Sequence, residues 1–416
     1  MKSLLFFLLA CTITASVAQT TNNSICIGTV DSLYSTILKQ ERKVFVYVPE
    51  NFGSIYAKQK YPVVYLFDGE AHFHSVTGLI QQLSQVNGNN NLPEMIVVGI
   101  PNIDRTHDLT PTPSGASAFL DSAMSATSGG GENFTAFIEK ELIPYIDSHY
   151  PTTSYRVLIG HSLGGLMIMN TFLNHTNLFN AYLSIDPSMW WDNERPLKQA
   201  QKDLAEKKYD GKKLFVAMAN TMRSGMDTLS LRKDTSANQN HPRAVLELGD
   251  ALRENKKNHL QWNWKYYNDD THGSVPLIAE HDALRWFFSF NKFMLPFVAD
   301  EMKTFNYDSA LTSHYKIVSA EMGYTVSPPE QVINDLAYQY LQQKNFDKAF
   351  HYFEMNIANY PESFNVYDSM GDYYDARGDK QKAIEYYTKA LKHGDFIETK
   401  TKLEKLKSST NQEKKK

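Results

Sequence analysis

The stretch Tyr155-Arg156-Val157-Leu158-Ile159-Gly160-His161-Ser162-Leu163-Gly164-Gly165 constrains this chain more than any other. Apolar residues run up to Gly160 as in a strand covered on both faces, and an apolar helical pattern follows from Leu166 to Leu173. Between them Ser162 has a glycine two residues before it and another two after. That spacing suits a strand-to-helix turn so sharp that a Cβ at the flanking positions has no room. A serine on such a turn stands clear of the sheet with its hydroxyl exposed. Ser162 is therefore the candidate nucleophile, and the N–H of Leu163 points to where an oxyanion would form.

Short β-rich runs alternate with helical patterns on either side of this turn. The runs cover residues 43–48, 62–67, 95–100, 155–159, 181–185, 213–218 and 260–267, with helical stretches at 132–150, 195–208, 241–258 and 276–293. Such alternation predicts an α/β fold with a doubly wound, mostly parallel sheet. The first run, with polar surroundings, is expected to be an antiparallel edge.

Two loops supply what a serine nucleophile needs. Tyr65-Leu66-Phe67-Asp68-Gly69-Glu70 ends an early strand, and the backbone N–H of Gly69 or Glu70 is the expected second oxyanion donor. Asn268-Asp269-Asp270-Thr271-His272-Gly273 follows the last β-like run, and His272 comes after Ser162 as a general base must in the order serine, acid, histidine. The acid should lie between them, after a strand, to orient the imidazole and stabilise its cation. Asp227, in the loop after residues 213–218, has the usual position; Asp234 and Asp186 are the alternatives.

The set Leu66-Phe67-Asp68-Gly69-Glu70, Pro101-Asn102-Ile103-Asp104-Arg105, Gly160-His161-Ser162-Leu163-Gly164-Gly165, Asp186-Pro187-Ser188-Met189-Trp190-Trp191 and Thr271-His272-Gly273 resembles the putative esterase family of α/β-hydrolases. That family includes esterase D-type enzymes, siderophore esterases, feruloyl and acetyl-xylan esterases, and mycolyltransferases. The resemblance covers roughly residues 30–295. It implies an α/β-hydrolase fold, Ser162 and His272 as nucleophile and base, and Asn102, Arg105, Trp190 and Trp191 as substrate-binding residues. The chain departs from it at Ala219-Asn220-Thr221-Met222, where many members have a glycine followed by a carboxylate. Chemically, a guanidinium offers a planar fork to an anionic oxygen, and indoles stack on sugar or aromatic groups. His72-Phe73-His74 has no matching carboxylate spacing, so neither a metal nor a cofactor is expected.

The expected activity is that of an exported serine carboxylic-ester hydrolase, its substrate a siderophore ester, an acylated glycan or a small ester. The alternatives are an acyltransferase on the same residues, or a non-catalytic scaffold. A net charge of −4 supplies no electrostatic footprint for nucleic acid. Residues 1–18 read as a signal peptide, with Lys2 before an apolar run and Ser16-Val17-Ala18 before the cut, so the protein is expected in the periplasm or outside the cell. The competing reading acylates Cys11 as a lipid anchor. Past residue 18 no transmembrane segment is expected, and cleavage there leaves Cys26 as the remaining cysteine, with no internal disulfide.

The esterase domain is drawn at 19–295 and a helical connection at 296–329. Beyond it a repeat returns at an interval of 34, pairing Ala337 with Gly371, Tyr340 with Tyr374, Asn345 with Asp379, Ala349 with Ala383 and Phe353 with Tyr387. Residues 330–395 thus look like two tetratricopeptide repeats, a possible platform for a protein partner. The lysine-rich tail, 396–416, is expected to be disordered.

Overall fold

A computed structural model of the protein describes residues 25–49, 59–115, 121–294, 296 and 304–413. The segment 1–18 and Cys11 lie outside the described residues. Among the described residues, eight strands form one sheet in the order β1-β2-β4-β3-β5-β6-β7-β8. They are β1 (Thr29–Ser35), β2 (Gln40–Tyr47), β3 (Tyr61–Phe67), β4 (Ile96–Ile100), β5 (Thr152–His161), β6 (Ala181–Ile185), β7 (Lys213–Ala219) and β8 (Gln261–Tyr267). The pairs β1·β2 and β2·β4 are antiparallel and the rest are parallel. The run expected as an edge, β2, is antiparallel but lies second from the edge. β1 covers it, and alternating exposure had left β1 without an apolar signal.

Helices fill the crossovers. α1 (Gly69–Ser84) joins β3 to β4. Between β4 and β5 come α2 (Arg105–Asp108), α3 (Ser122–Thr127), α4 (Gly131–Phe137) and, beyond a π-helical turn at Ile138–Leu142, α5 (Ile143–His149). α6 (Leu163–Asn174) follows β5, α7 (Trp191–Glu206) follows β6, α8 (Thr228–Leu231) and α9 (Asn240–Glu254) follow β7, and α10 (Val275–Phe287) follows β8. Every residue of β3, β4, β6 and β7 is buried, as parallel strands require when helices cover both faces. Alternation along β3 sends Val63, Tyr65 and Phe67 into one core and Val64 and Leu66 into the other.

The C-terminal part is all helical: α11 (Tyr307–Met322), α12 (Glu330–Gln342), α13 (Phe346–Asn359), α14 (Phe364–Ala376), α15 (Lys380–His393) and α16 (Ile397–Glu413). The sequence interval of 34 reappears as matching helix pairs. Asn345 and Asp379 cap α13 and α15 in the same way, each side chain accepting an N–H three residues on. α11 belongs to two cores at once: Val318 and Met322 pack beneath the sheet, Tyr307 and Leu311 among the C-terminal helices. Lys213 of β7 reaches Glu321 at 2.9 Å across this junction.

Over the described residues the tail is a helix, where its lysines had led to an expectation of disorder. α16 buries Leu403 and Leu406, one helical turn apart, against the helix pairs. Lys402 lies 2.7 Å from Asp368 and 2.8 Å from Asp372, and Thr399 Oγ1 donates to Asp368 at 2.7 Å. The lysine run thus includes one side chain held by acids of α14.

Candidate active site

β5 ends at His161 and α6 begins at Leu163, so the whole change of direction falls on Ser162, at φ 62° and ψ −114°. A serine there is strained, and close contacts hold it. A Cβ on Gly160 would lie 2.7 Å from the carbonyl of Gly164. The Ser162 N–H donates to the Ile185 carbonyl at 2.9 Å, and the Ser188 N–H donates back to the Ser162 carbonyl at 3.2 Å. The serine turn is therefore tied to the end of the neighbouring strand β6.

The next residue after β6 is Asp186. It is fully buried, with φ 39°. Its Oδ1 accepts the Ala219 N–H at 3.0 Å, while its Oδ2 lies 2.6 Å from His272 Nδ1 and 2.9 Å from His241 Nε2. Burial by itself would raise the carboxyl pKa. The hydrogen bonds and charges of the two histidines outweigh burial and hold it well below the usual carboxylate range.

Asp227, the expected acid, is elsewhere. It is the exposed N-cap of α8, accepting the Ser230 N–H at 2.7 Å, and that bond lowers its pKa. Asp234 makes a similar local turn with Ser236 and pairs with Arg223 at 3.3 Å. The loop after β7 is long, and its acids satisfy nearby backbone. Asp186 follows its strand directly and so stays at the sheet's carboxyl edge, where His272 arrives from the loop after β8. His241, at the start of α9, was not anticipated; its link to Asp186 is purely tertiary.

His272 leaves Nε2 for another partner, since Nδ1 is engaged with Asp186. Its ring lies 4.4 Å from that of His161, centroid to centroid. Burial, reinforced by His272, pushes the His161 pKa down to about 3, so His161 stays neutral beside it. Ser162, Leu163, Trp190, His241 and His272 all line one cleft of about 360 Å³.

The remaining expected residues divide. Gly69 and Glu70 open α1 behind Asp68, itself in a left-handed conformation at φ 52°; first-turn N–H groups such as theirs have no intrahelical acceptor. Arg105 lines the cleft, but its guanidinium forks onto the buried Asp68 at 2.7 and 3.0 Å and reaches the His161 carbonyl at 3.2 Å. Asn102 donates to Asp68 at 2.6 Å and to Glu70 at 2.8 Å. Both residues thereby brace the loop beside the serine turn. Trp190 and Trp191 both line the cleft; Trp190 is partly exposed, and Trp191 is buried with Nε1 donating to the Thr112 carbonyl at 2.9 Å. His72, within α1, stacks edge-on near His161 at 6.0 Å and lies 3.5 Å from the buried Glu280.

Among the described residues, Asp186, His241 and His272 bring one ligating atom each within 4.8 Å, a set of the kind that holds a metal ion. Here the two nitrogens lie 2.6 and 2.9 Å from a single carboxylate oxygen. A zinc ion about 2.0 Å from each atom would need these nitrogens farther from that oxygen. The spacing is that of hydrogen bonds.

A mixed sheet of this order, with a strained serine after β5 and a histidine–carboxylate pair at its carboxyl edge, is the architecture of the α/β-hydrolases. The chain belongs to the family described as Putative esterase, whose model matches residues 35–287. A crystal structure of an IroE-like serine hydrolase from Shewanella oneidensis is 30% identical, with a TM-score of 0.64, over 79% of this chain and 98% of that one. The siderophore enterobactin esterase of Emericella nidulans is 29% identical over 154 residues, 33% of this chain and 50% of that protein. The ferri-bacillibactin esterase BesA of Bacillus subtilis is 27% identical over 169 residues, 38% and 58% respectively. The chain thus spans about half to three fifths of these two curated relatives, 50% and 58%.

Proposed function

We propose that the protein hydrolyses carboxylic esters through an acyl-enzyme on Ser162. The observation that carries this reading is the short contact from His272 Nδ1 to the buried Asp186, beside a serine held at positive φ. Ser162 Oγ attacks the ester carbonyl while His272 Nε2 takes its proton. The tetrahedral oxyanion accepts the Leu163 N–H and an N–H at Gly69 or Glu70. As the C–O bond breaks, the imidazolium returns the proton to the departing alkoxide. Water then attacks the acyl-enzyme, His272 takes its proton, and that proton goes back to Ser162 as the acid leaves. Asp186 keeps Nδ1 protonated and stabilises the imidazolium in both halves.

The names of the curated relatives support a siderophore ester as substrate, and Trp190 offers an aromatic face to its acyl groups. The proposal extends to the flanks of the 19–295 domain. Residues 1–18 direct export, and 330–395 are two tetratricopeptide repeats that present a surface to a protein partner, a reading supported by their interval of 34 and equivalent caps.

The test is hydrolysis of short p-nitrophenyl esters and of a catecholate trilactone by the native protein beside Ser162→Ala. Turnover lost in the variant is expected; equal turnover in both sinks the proposal.

A further inference from the structure

We infer that His241 is a positioning residue for ester cleavage, acting on His272 through the carboxylate they share. The inference rests on the Ser162–His272 reading above. Asp186 Oδ2 is the acceptor for both rings, His272 Nδ1 at 2.6 Å and His241 Nε2 at 2.9 Å, and the rings stand nearly perpendicular at 87° with centroids 5.3 Å apart. A carboxylate held ionised is an acceptor only, so each histidine presents an N–H to it. With Nε2 so engaged, His241 is not the ring that offers Nε2 to the serine.

The position of His241 is set by the fold. It is the second residue of α9, followed by Pro242, and it is buried. Val245, Leu248 and Leu252 press the same helix into the core. Ala219, at the end of β7, donates to the other carboxylate oxygen. The crossover from β7 to α9 therefore grips Asp186 from two sides, and β8 delivers the third donor. A buried carboxylate at φ 39° needs such a clamp, because rotation of its side chain would release the imidazole.

The second donor also sets how strongly Asp186 pulls on the His272 proton. Charge on Oδ2 is divided between two N–H groups, so the imidazolium of His272 is stabilised less than it would be by a carboxylate serving it alone. Three other ionisable groups stand near the pair: His161 from β5 is neutral, His72 of α1 has its pKa lowered by burial, and Arg105 at the cleft is matched by Asp68. Removing the His241 donor should therefore leave Asp186 Oδ2 to the His272 N–H alone and move the acid limb of kcat/KM to higher pH. The loosened carboxylate should lower kcat as well.

The experiment compares full-length native protein, His241→Gln, His241→Phe and His241→Leu across pH 5 to 9. Its two readouts are p-nitrophenyl ester turnover and the rate of fluorophosphonate labelling of Ser162. His241→Phe and His241→Leu, without a donor, should lose about tenfold or more in kcat with KM little changed, and their acid limb should move up by about half a pH unit or more. His241→Gln, which keeps an N–H donor, should recover most of the rate and the native limb. Leu is the second donor-free variant should the larger ring impair folding. The inference is overturned if a folded donor-free variant keeps the native kcat and limb, or if its loss falls entirely in KM, which would make His241 a substrate contact. Failure of the underlying reading is separate: Ser162→Ala or His272→Ala would then keep full activity whatever His241 does.

Discussion

Asp186 Oδ2 and His272 Nδ1 lie 2.6 Å apart, although 86 residues separate them in the chain. The contact joins the carboxyl end of β6 to the loop beyond β8, across β7, and no local feature of either segment announces it. It makes the choice of acid testable. Asp186→Asn should lower kcat by about 10³–10⁴-fold by presenting a donor where the imidazole needs an acceptor. Asp227→Ala, which removes an exposed helix cap, should leave kcat unchanged. Steady-state kinetics on the two variants decides between them.

Acid sensitivity should track the same carboxyl. Its pKa in the folded protein is depressed, so its contribution to stability is present above the unfolded value, about 3.9, and is lost as pH falls through the folded value. In Asp186→Asn that part of the low-pH loss should be absent, which denaturation midpoints between pH 2 and pH 5 will read.

Glu280 behaves in the opposite sense. It is fully buried on α10, and burial raises its pKa from 4.5 to about 8 despite the Ser75 hydroxyl 3.3 Å away. Its contribution is therefore whole below the unfolded pKa and is lost as pH rises through about 8. Glu280→Gln should match the native protein near pH 5 and become the more stable of the two toward pH 9. The gap should open by at most about 1.4 kcal/mol per pH unit.

The C-terminal helices should matter to the esterase domain through α11. Met322 is 3% exposed and packs in the core beneath the sheet with Val318. Met322→Ala should cost about 2–5 kcal/mol in urea unfolding while leaving the rate per folded molecule unchanged. A loss confined to the helical region, with the sheet unfolding as in the native protein, would contradict the shared core.

Much of the sheet was legible because buried parallel strands are apolar on both faces; residues 62–67, 95–100 and 213–218 became β3, β4 and β7 nearly unchanged. The serine turn was legible because its glycines report local crowding. β1 was hidden, since an edge strand with alternating exposure carries no apolar run. The proposed acid was hidden for another reason. Asp186, Asp227 and Asp234 are equivalent in type, and what separates them is the Ala219 N–H and two distant histidines. Arg105 lines the cleft as the resemblance implies, but its pairing with Asp68, 37 residues away, has no local signal in the sequence.

The most direct test of the account is fluorophosphonate labelling of the native protein followed by peptide mapping, beside Ser162→Ala, His272→Ala and Asp186→Asn. The account predicts a single adduct on Ser162, absent from Ser162→Ala and formed far more slowly when His272 or Asp186 is changed. An adduct on another residue, or labelling of Ser162 at the native rate in His272→Ala and Asp186→Asn, would contradict it.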